Sequence, residues 1–275
     1  MQGLVIHKMT GSGNDFVFVD GRLTAASRFS ADLIRRLCAR GTGVGADGLI
    51  VLDAGSRPGA VRFHFFNRDG QRAEMCGNGA LCATRLAAWL GMAPAEGMVL
   101  ETDAGPVEAR CLDGPGERAE LTMPSTESVY VPDIALADGE RSLHATVVGV
   151  PHLIVLVDDV RNAPVLERGR ELRSHPALGA AGANVNFVSA AGSDGWSIRT
   201  FERGVEDETL ACGTGAVATA AALAAGGVIQ LPWEVRTASG SVLGVAGDAA
   251  GRRRQISAPR LSGEGRLVFR AVLGC

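Results

Sequence analysis

Lysine is almost absent: Lys8 is the only one, and arginine carries nearly all the positive charge. With 27 basic residues against 30 acidic, the net charge is −3 and no basic face stands out. That argues against nucleic acid as a partner, and the run Arg252-Arg253-Arg254 reads as a solvated strand end. Export and membrane signals are lacking as well. Met1 to Asp20 holds no apolar run followed by a small-residue cleavage site, so no export signal is expected. The uncharged stretch from Ala216 to Ile229 is about 14 residues, short of the ~20 that a span needs. Cysteines 38, 76, 82, 111, 212 and 275 include no Cys-x-x-Cys pair, and histidines are few and scattered. Neither a disulfide scaffold nor a metal site is expected, and a reducing, cytoplasmic setting fits. Neither Gly-x-x-x-x-Gly-Lys nor a strand-loop-helix Gly-x-Gly-x-x-Gly occurs, which leaves no signature for a nucleotide phosphate.

What is present is length and repetition. A chain of 275 residues, 46% hydrophobic, can bury the cores of two ordinary domains without staples. Asn14-Asp-Phe-Val-Phe-Val-Asp is answered by His152-Leu-Ile-Val-Leu-Val-Asp, and Gly45-Ala-Asp-Gly-Leu-Ile-Val by Gly182-Ala-Asn-Val-Asn-Phe-Val. Cys76-Gly-Asn-Gly-Ala returns as Cys212-Gly-Thr-Gly-Ala, and Thr102-Asp-Ala-Gly as Thr237-Ala-Ser-Gly. The matches keep their order, and their separation drifts by one residue at each step. The chain is two copies of one module.

Each copy follows the same plan. An apolar strand (Phe16 to Val19; Leu153 to Val157) precedes a polar helical stretch (Ser30 to Cys38; Val165 to Ser174). A Gly-Ala-Asp or Gly-Ala-Asn loop, a second strand and alternating residues then lead to the cysteine. The small-residue runs Ala80 to Leu90 and Ala216 to Ala225 read as helices that end at Gly91 and Gly226. Being apolar nearly all round, they are expected inside their own sheets. Strands at Val107 to Cys111 and Val242 to Val245 close the modules. The fold class is therefore α+β: two pseudo-symmetric domains, each a mixed or antiparallel sheet wrapped around a central helix. The expected boundaries are 1–123 plus 263–275 for one module and 124–262 for the other. The strand near Leu267 to Val272 should return to the first half, because it falls after the second copy has ended.

Each repeated cysteine stands before Gly-x-Gly at a helix entrance. Free N–H groups and the helix dipole there favour a thiolate and cradle a carboxylate. Glycine lets a ligand approach the backbone closely. Two such loops facing each other across a cleft would set one sulfur on each face of one carbon. That is what stereoinversion requires: a thiolate removes a proton from one face and a thiol returns one to the other. The α-proton is weakly acidic, so charge developing on the carboxylate must be stabilised by the helix ends in a dry pocket. Cys82 and Cys111 have no counterpart in the other half and read as small buried hydrophobes. Cys38 and Cys275 give no functional signal either.

These residues resemble the diaminopimelate epimerase family over essentially the whole chain. The motifs that carry the resemblance are Gly13-Asn-Asp-Phe16, Gly43-Val-Gly-Ala-Asp47, Phe66-Asn67, Met75-Cys-Gly-Asn-Gly79, Pro151-His152, Asn184-Val-Asn-Phe187 and Phe201-Glu-Arg through Cys212-Gly-Thr-Gly215. The resemblance implies interconversion of LL- and meso-diaminopimelate for lysine and cell-wall synthesis, without PLP, other cofactor or metal. It also implies a homodimer, with neither nucleic acid nor membrane as partner. By the same resemblance, Cys76 and Cys212 are the acid/base thiols. Gly77, Asn78, Gly213 and Thr214 hold the reacting carboxylate through backbone N–H groups. Asn14, Asn67, Asn186, Glu202 and Arg203 line the rest of the substrate, with His152 and Glu202 as auxiliary groups beside the thiols. Arg203 suits a distal carboxylate and Glu202 an ammonium.

Three positions depart from the family pattern: Gly48 where glutamine is usual, Val150 where asparagine is usual, and Leu81 where arginine is usual. They bear on the substrate more than on the reaction. Two alternatives stand beside the main reading. One is a sibling cofactor-independent racemase acting on another amino acid such as histidine or hydroxyproline. The other is a thiol-redox switch in which Cys76 and Cys212 oxidise.

Overall fold

The computed structural model describes residues 3–112, 117–192, 195–250 and 255–274, the side chains of 249 and 250 excepted. The Arg252-Arg253-Arg254 run and Cys275 lie outside the described residues. The chain divides into two compact units, Met1–Leu121 with Ser262–Cys275, and Thr122–Leu261.

In the first unit, β1 (Leu4–Gly11) and β2 (Asn14–Asp20) form an antiparallel pair. Then follow α1 (Ala31–Cys38), β3 (Gly48–Ala54), β4 (Ala60–Asn67), β5 (Arg72–Ala73), α2 (Gly77–Trp89), β6 (Met98–Thr102), β7 (Gly105–Cys111) and β8 (Arg118–Thr122). β2 runs parallel to β3, β3 antiparallel to β4, β4 antiparallel to β5 and parallel to β6, and β6 antiparallel to β7. Ser30 caps α1 by accepting from the Leu33 N–H, so the polar helix starts where its sequence signal stands. Ile34, Leu37 and Cys38 of α1 cover Leu4, Ile6, Val17, Val19, Leu49 and Val51 on one face of the sheet. α2 packs against β1–β4, β6 and β7. Beneath it, Phe16, Phe18, Phe63 and Phe65 meet edge-on or tilted at centroid spacings of 6.1–6.3 Å.

The second unit repeats the scheme. β9 (Glu140–Val148) and β10 (Val150–Val157) are antiparallel. After them come α3 (Val165–Arg173), β11 (Asn184–Ala190), β12 (Trp196–Glu202), β13 (Asp207–Thr209), α4 (Gly213–Ala225), β14 (Trp233–Arg236), β15 (Val242–Ala250) and β16 (Gln255–Glu264). β10 runs parallel to β11, β11 antiparallel to β12, β12 antiparallel to β13 and parallel to β14, and β14 antiparallel to β15. Each pairing has the sense of its counterpart in the first unit, so the duplicated sequence is a duplicated fold. α3 joins Leu153, Val155, Val157, Val185, Phe187 and Phe201 in one core, while α4 packs against β9, β10, β11 and β15. An inward ion pair, Arg168 Nε to Glu140 Oε1 at 2.9 Å, pins α3 to β9.

The last strand, β17 (Arg266–Leu273), lies antiparallel to β1, pairing Leu4 with Leu273 and Thr10 with Arg266. The helix ends differ slightly between copies. Gly91 takes the left-handed turn after α2 (φ 63°); after α4 that turn falls to Gly227 (φ 71°), and Gly226 is still right-handed.

Candidate functional site

Cys76 and Cys212 hold the same place in their units. Each is the N-cap residue of a thirteen-residue helix, in extended conformation (φ −138°, ψ 121° and φ −128°, ψ 109°). The first helical bonds run from Ala80 N to Cys76 O at 2.8 Å and from Ala216 N to Cys212 O at 3.0 Å. That leaves the amides of Gly77 to Gly79 and of Gly213 to Gly215 outside the helical ladder, at the positive end of the dipole. Both thiols are partly exposed although the helices behind them are buried. Cys212 Sγ stands 3.5 Å from Thr214 Oγ1. The remaining described cysteines differ in character. Burial pushes the Cys38 thiol up to about 11 and raises Cys82 and Cys111 as well, the behaviour of inert thiols.

In the first unit a chain of polar groups leads to the α2 entrance. Asn78, in the first turn, donates from Nδ2 to Asn14 Oδ1 at 2.7 Å. Asn14 Nδ2 donates to Asp47 Oδ2 at 3.0 Å, and the same oxygen takes the Asp15 N–H at 3.2 Å. Arg40 bridges Asp47 and Asp15 at 2.9 and 2.6 Å. Lys8 completes the chain, donating to Asp15 Oδ2 at 2.6 Å and to the Gly45 carbonyl. Burial alone would raise the Asp15 carboxyl, but hydrogen bonds from Arg40 and Lys8 outweigh it and hold Asp15 below its ordinary range. Asp47, Lys8 and Arg40 have no place among the sequence-derived site residues. Asp47 belongs to the Gly43-Val-Gly-Ala-Asp47 motif, whereas nothing in the sequence pattern marks Lys8 beyond its being the sole lysine.

Asn67 is exposed at the end of β4, directly opposite Gly48. A Cβ at Gly48 would lie 2.6 Å from the Phe66 carbonyl oxygen and 2.7 Å from the Phe65 ring, so a side chain here requires the neighbouring strand and Phe65 to shift. Leu81 is fully buried on α2, where an arginine would need a partner for its charge. Val150 opens β10 opposite Val148.

In the second unit Glu202 ends β12 beside Arg203. Burial raises the Glu202 carboxyl above its usual value against an opposing bond from Thr209. Arg203 is anchored through its backbone N–H to Asn184 Oδ1 at 2.8 Å, and its guanidinium donates to Ala181 O at 3.2 Å. His152 and Asn186 are fully buried, and Asn186 Nδ2 is 3.2 Å from His152 Nδ1. Burial, then the positive charge of Arg203, pushes the His152 pKa down to about 3. Among the described residues no group of three or more His, Cys, Asp or Glu is placed to hold a metal ion, and no helix is long and apolar enough to cross a membrane.

Comparison with known proteins adds a family. The family description "Diaminopimelate epimerase" matches residues 6–125 and 144–250. A diaminopimelate epimerase of Gemmatimonas aurantiaca is 44% identical, covering 97% of this chain and 98% of its own. One from Aquifex aeolicus is 41% identical over 86% of this chain and 87% of its own. Among solved structures, a PhzF-family phenazine biosynthesis protein of Bacillus anthracis superposes with a TM-score of 0.74 at 14% identity, covering 99% of both chains. That last likeness is one of fold.

Proposed function

We propose, from the premise that the chain belongs to the diaminopimelate epimerase family, that it interconverts LL- and meso-diaminopimelate with Cys76 and Cys212 as paired acid and base. The observation that carries the reading is the placement of both thiols as N-cap residues of equivalent buried helices. One cysteine, as thiolate, takes the α-proton and becomes the thiol. The other, as thiol, gives its proton to the opposite face of the same carbon and becomes the thiolate. The pair ends each turnover with protonation exchanged, ready for the reverse direction. Both proton carriers are side chains of the chain itself, and the reading invokes no cofactor.

The amides of Gly77, Asn78, Gly213 and Thr214 take the reacting carboxylate, where negative charge grows as the proton leaves. Asn14, Asn67 and Asn186 shape the surroundings, and His152 and Glu202 act beside the thiols. Glu202 and Arg203 recognise the far end of the substrate, the carboxylate receiving an ammonium and the guanidinium a carboxylate. The modules of this proposal are residues 1–123 with 263–275, and 124–262. We extend it to a cytoplasmic homodimer, for which β17 offers the exposed apolar side chains Val268, Phe269 and Val272.

Deuterium wash-in from D₂O tests the reading. Purified protein should label Cα of LL-diaminopimelate and leave histidine, hydroxyproline and other amino acids unlabelled. Faster labelling of an amino acid without a second carboxylate would assign the site to a sibling racemase. No labelling of any amino acid would remove the epimerase reading.

A further inference from the structure

His152, Asn186 and Thr200 form a buried polar cluster in the second unit, and the two proton transfers at the thiols leave the protonation of its imidazole unassigned. Leu153 O, 3.1 Å from Asn186, can only accept, so the Asn186 atom beside it is the amide nitrogen. Oδ1 then faces the Thr200 hydroxyl, which donates to it at 3.0 Å. The nitrogen bonded to Leu153 O is also the one 3.2 Å from His152 Nδ1, and it must donate there too. A ring nitrogen that accepts carries no proton. The neutral imidazole therefore keeps its proton on Nε2, and that N–H is buried with no partner among the described residues.

The cluster adjoins a thiol. A Cβ added at Gly215 would lie 2.2 Å from Asn186 Oδ1 and 3.2 Å from Cys212 Sγ, so both press on the first turn of α4. We infer that Asn186 is a positioning residue which locks His152 in its Nε2–H tautomer, and that this N–H donates to the substrate's anionic end. A ring so arranged has no lone pair left to take a thiol proton. A buried donor left unmet is costly; an anionic acceptor brought to it by the substrate would meet it. The depressed pKa agrees, since the ring stays neutral near neutral pH. For its acceptor the inference rests on the proposed epimerase reading; for its tautomer it does not.

¹⁵N spectra of histidine-labelled protein, without substrate and near neutral pH, read the tautomer directly. His152→Gln identifies the His152 signals among the five histidines. The unmodified protein should show Nε2 protonated and Nδ1 bare, and Asn186→Leu should mix the two tautomers. An imidazolium, or a proton on Nδ1, in the unmodified protein overturns the inference. Activity gives a second test. Glutamine can place an N–H near the Nε2 position, so His152→Gln should keep turnover within about tenfold, while His152→Leu loses about 10²–10³-fold, as removed oxyanion donors do. Equal losses in the two variants would overturn the donor role. Because the spectra need no substrate, their failure is distinct from failure of the deuterium assay.

Discussion

Asn78 and Asn14 share a 2.7 Å hydrogen bond that ties β2 to the first turn of α2, two residues beyond Cys76. Asn14 is held in turn by Asp47, and Asp47 by Arg40. The orientation of one helix entrance thus depends on a carboxylate that is not itself at the thiol.

Asp47→Ala should therefore lower both stability and turnover. It strips acceptors from Asn14 Nδ2, the Asp15 N–H and Arg40. Leaving such donors unmet costs on the order of 1–3 kcal/mol, to be read from urea unfolding. The expected kinetic signature is a fall in kcat, since the α2 amides would be misaligned. Unchanged stability and kcat would show that Asn14 needs no anchor.

The cysteines divide by position. Cys76→Ala and Cys212→Ala should each reduce epimerisation by at least the ~10²–10⁴-fold of a lost acid or base. Cys38→Ala and Cys111→Ala, whose thiols are raised by burial, should keep most activity and lose only some packing. Substantial turnover by Cys76→Ala would end the two-thiol mechanism.

Arg203→Met tests the far end of the substrate. Its backbone bond to Asn184 survives the change, so the strand end should keep its shape while the guanidinium is lost. kcat/KM for diaminopimelate should fall steeply, through binding and rate together. An undiminished kcat/KM would remove the distal-carboxylate assignment.

How much of this was legible beforehand depends on what each residue's partners are. Cys76 and Cys212 announced themselves because the repeat placed the same thiol before the same Gly-x-Gly, and a helix entrance is a local feature. The modules' sheet-and-helix plan was legible for the same reason: strand and helix patterns recur in order. The His152–Asn186 lock was not, since it depends on the register of two parallel strands, with Ile154 beside Asn186. Likewise Lys8 stands alone in sequence but pairs with Asp15 across a hairpin. Leu81 marked a departure from the family, and only its full burial on α2 shows why an apolar side chain sits there.

Acid should destabilise the protein before its carboxylates titrate. His152 stays neutral down to about pH 3 when folded, against an ordinary 6.5 when unfolded. Between those values the unfolded chain binds a proton that the native one does not. Stability is therefore full above about pH 6.5 and falls toward pH 3, by up to ~1.4 kcal/mol per pH unit for one such group. His7 and His64, also lowered chiefly by burial, act in the same direction. His152→Gln should flatten the slope of unfolding free energy between pH 6 and 4. An unaltered slope would mean that His152 titrates normally.

Gly215→Ala examines the α4 entrance with the smallest possible change. The added Cβ would come within 2.2 Å of Asn186 Oδ1, a distance no real contact tolerates, so α4 or Asn186 must move. Asn186 cannot yield freely, because its amide bonds His152, Leu153 O and Thr200. Overpacking of this kind costs about 1–3 kcal/mol. Gly97, where a Cβ meets nothing within 4 Å, supplies the control: Gly97→Ala should leave stability within about 0.5 kcal/mol. The two variants differ by the same methyl group, so thermal unfolding compares burial with open space directly. Turnover should fall in Gly215→Ala beyond what its lost stability explains, because the shift displaces Cys212 and the His152 tautomer lock together. Native-like turnover with the ¹⁵N signature of His152 unchanged would show that the entrance absorbs the methyl group, and that Asn186 is not held as tightly as its three bonds indicate.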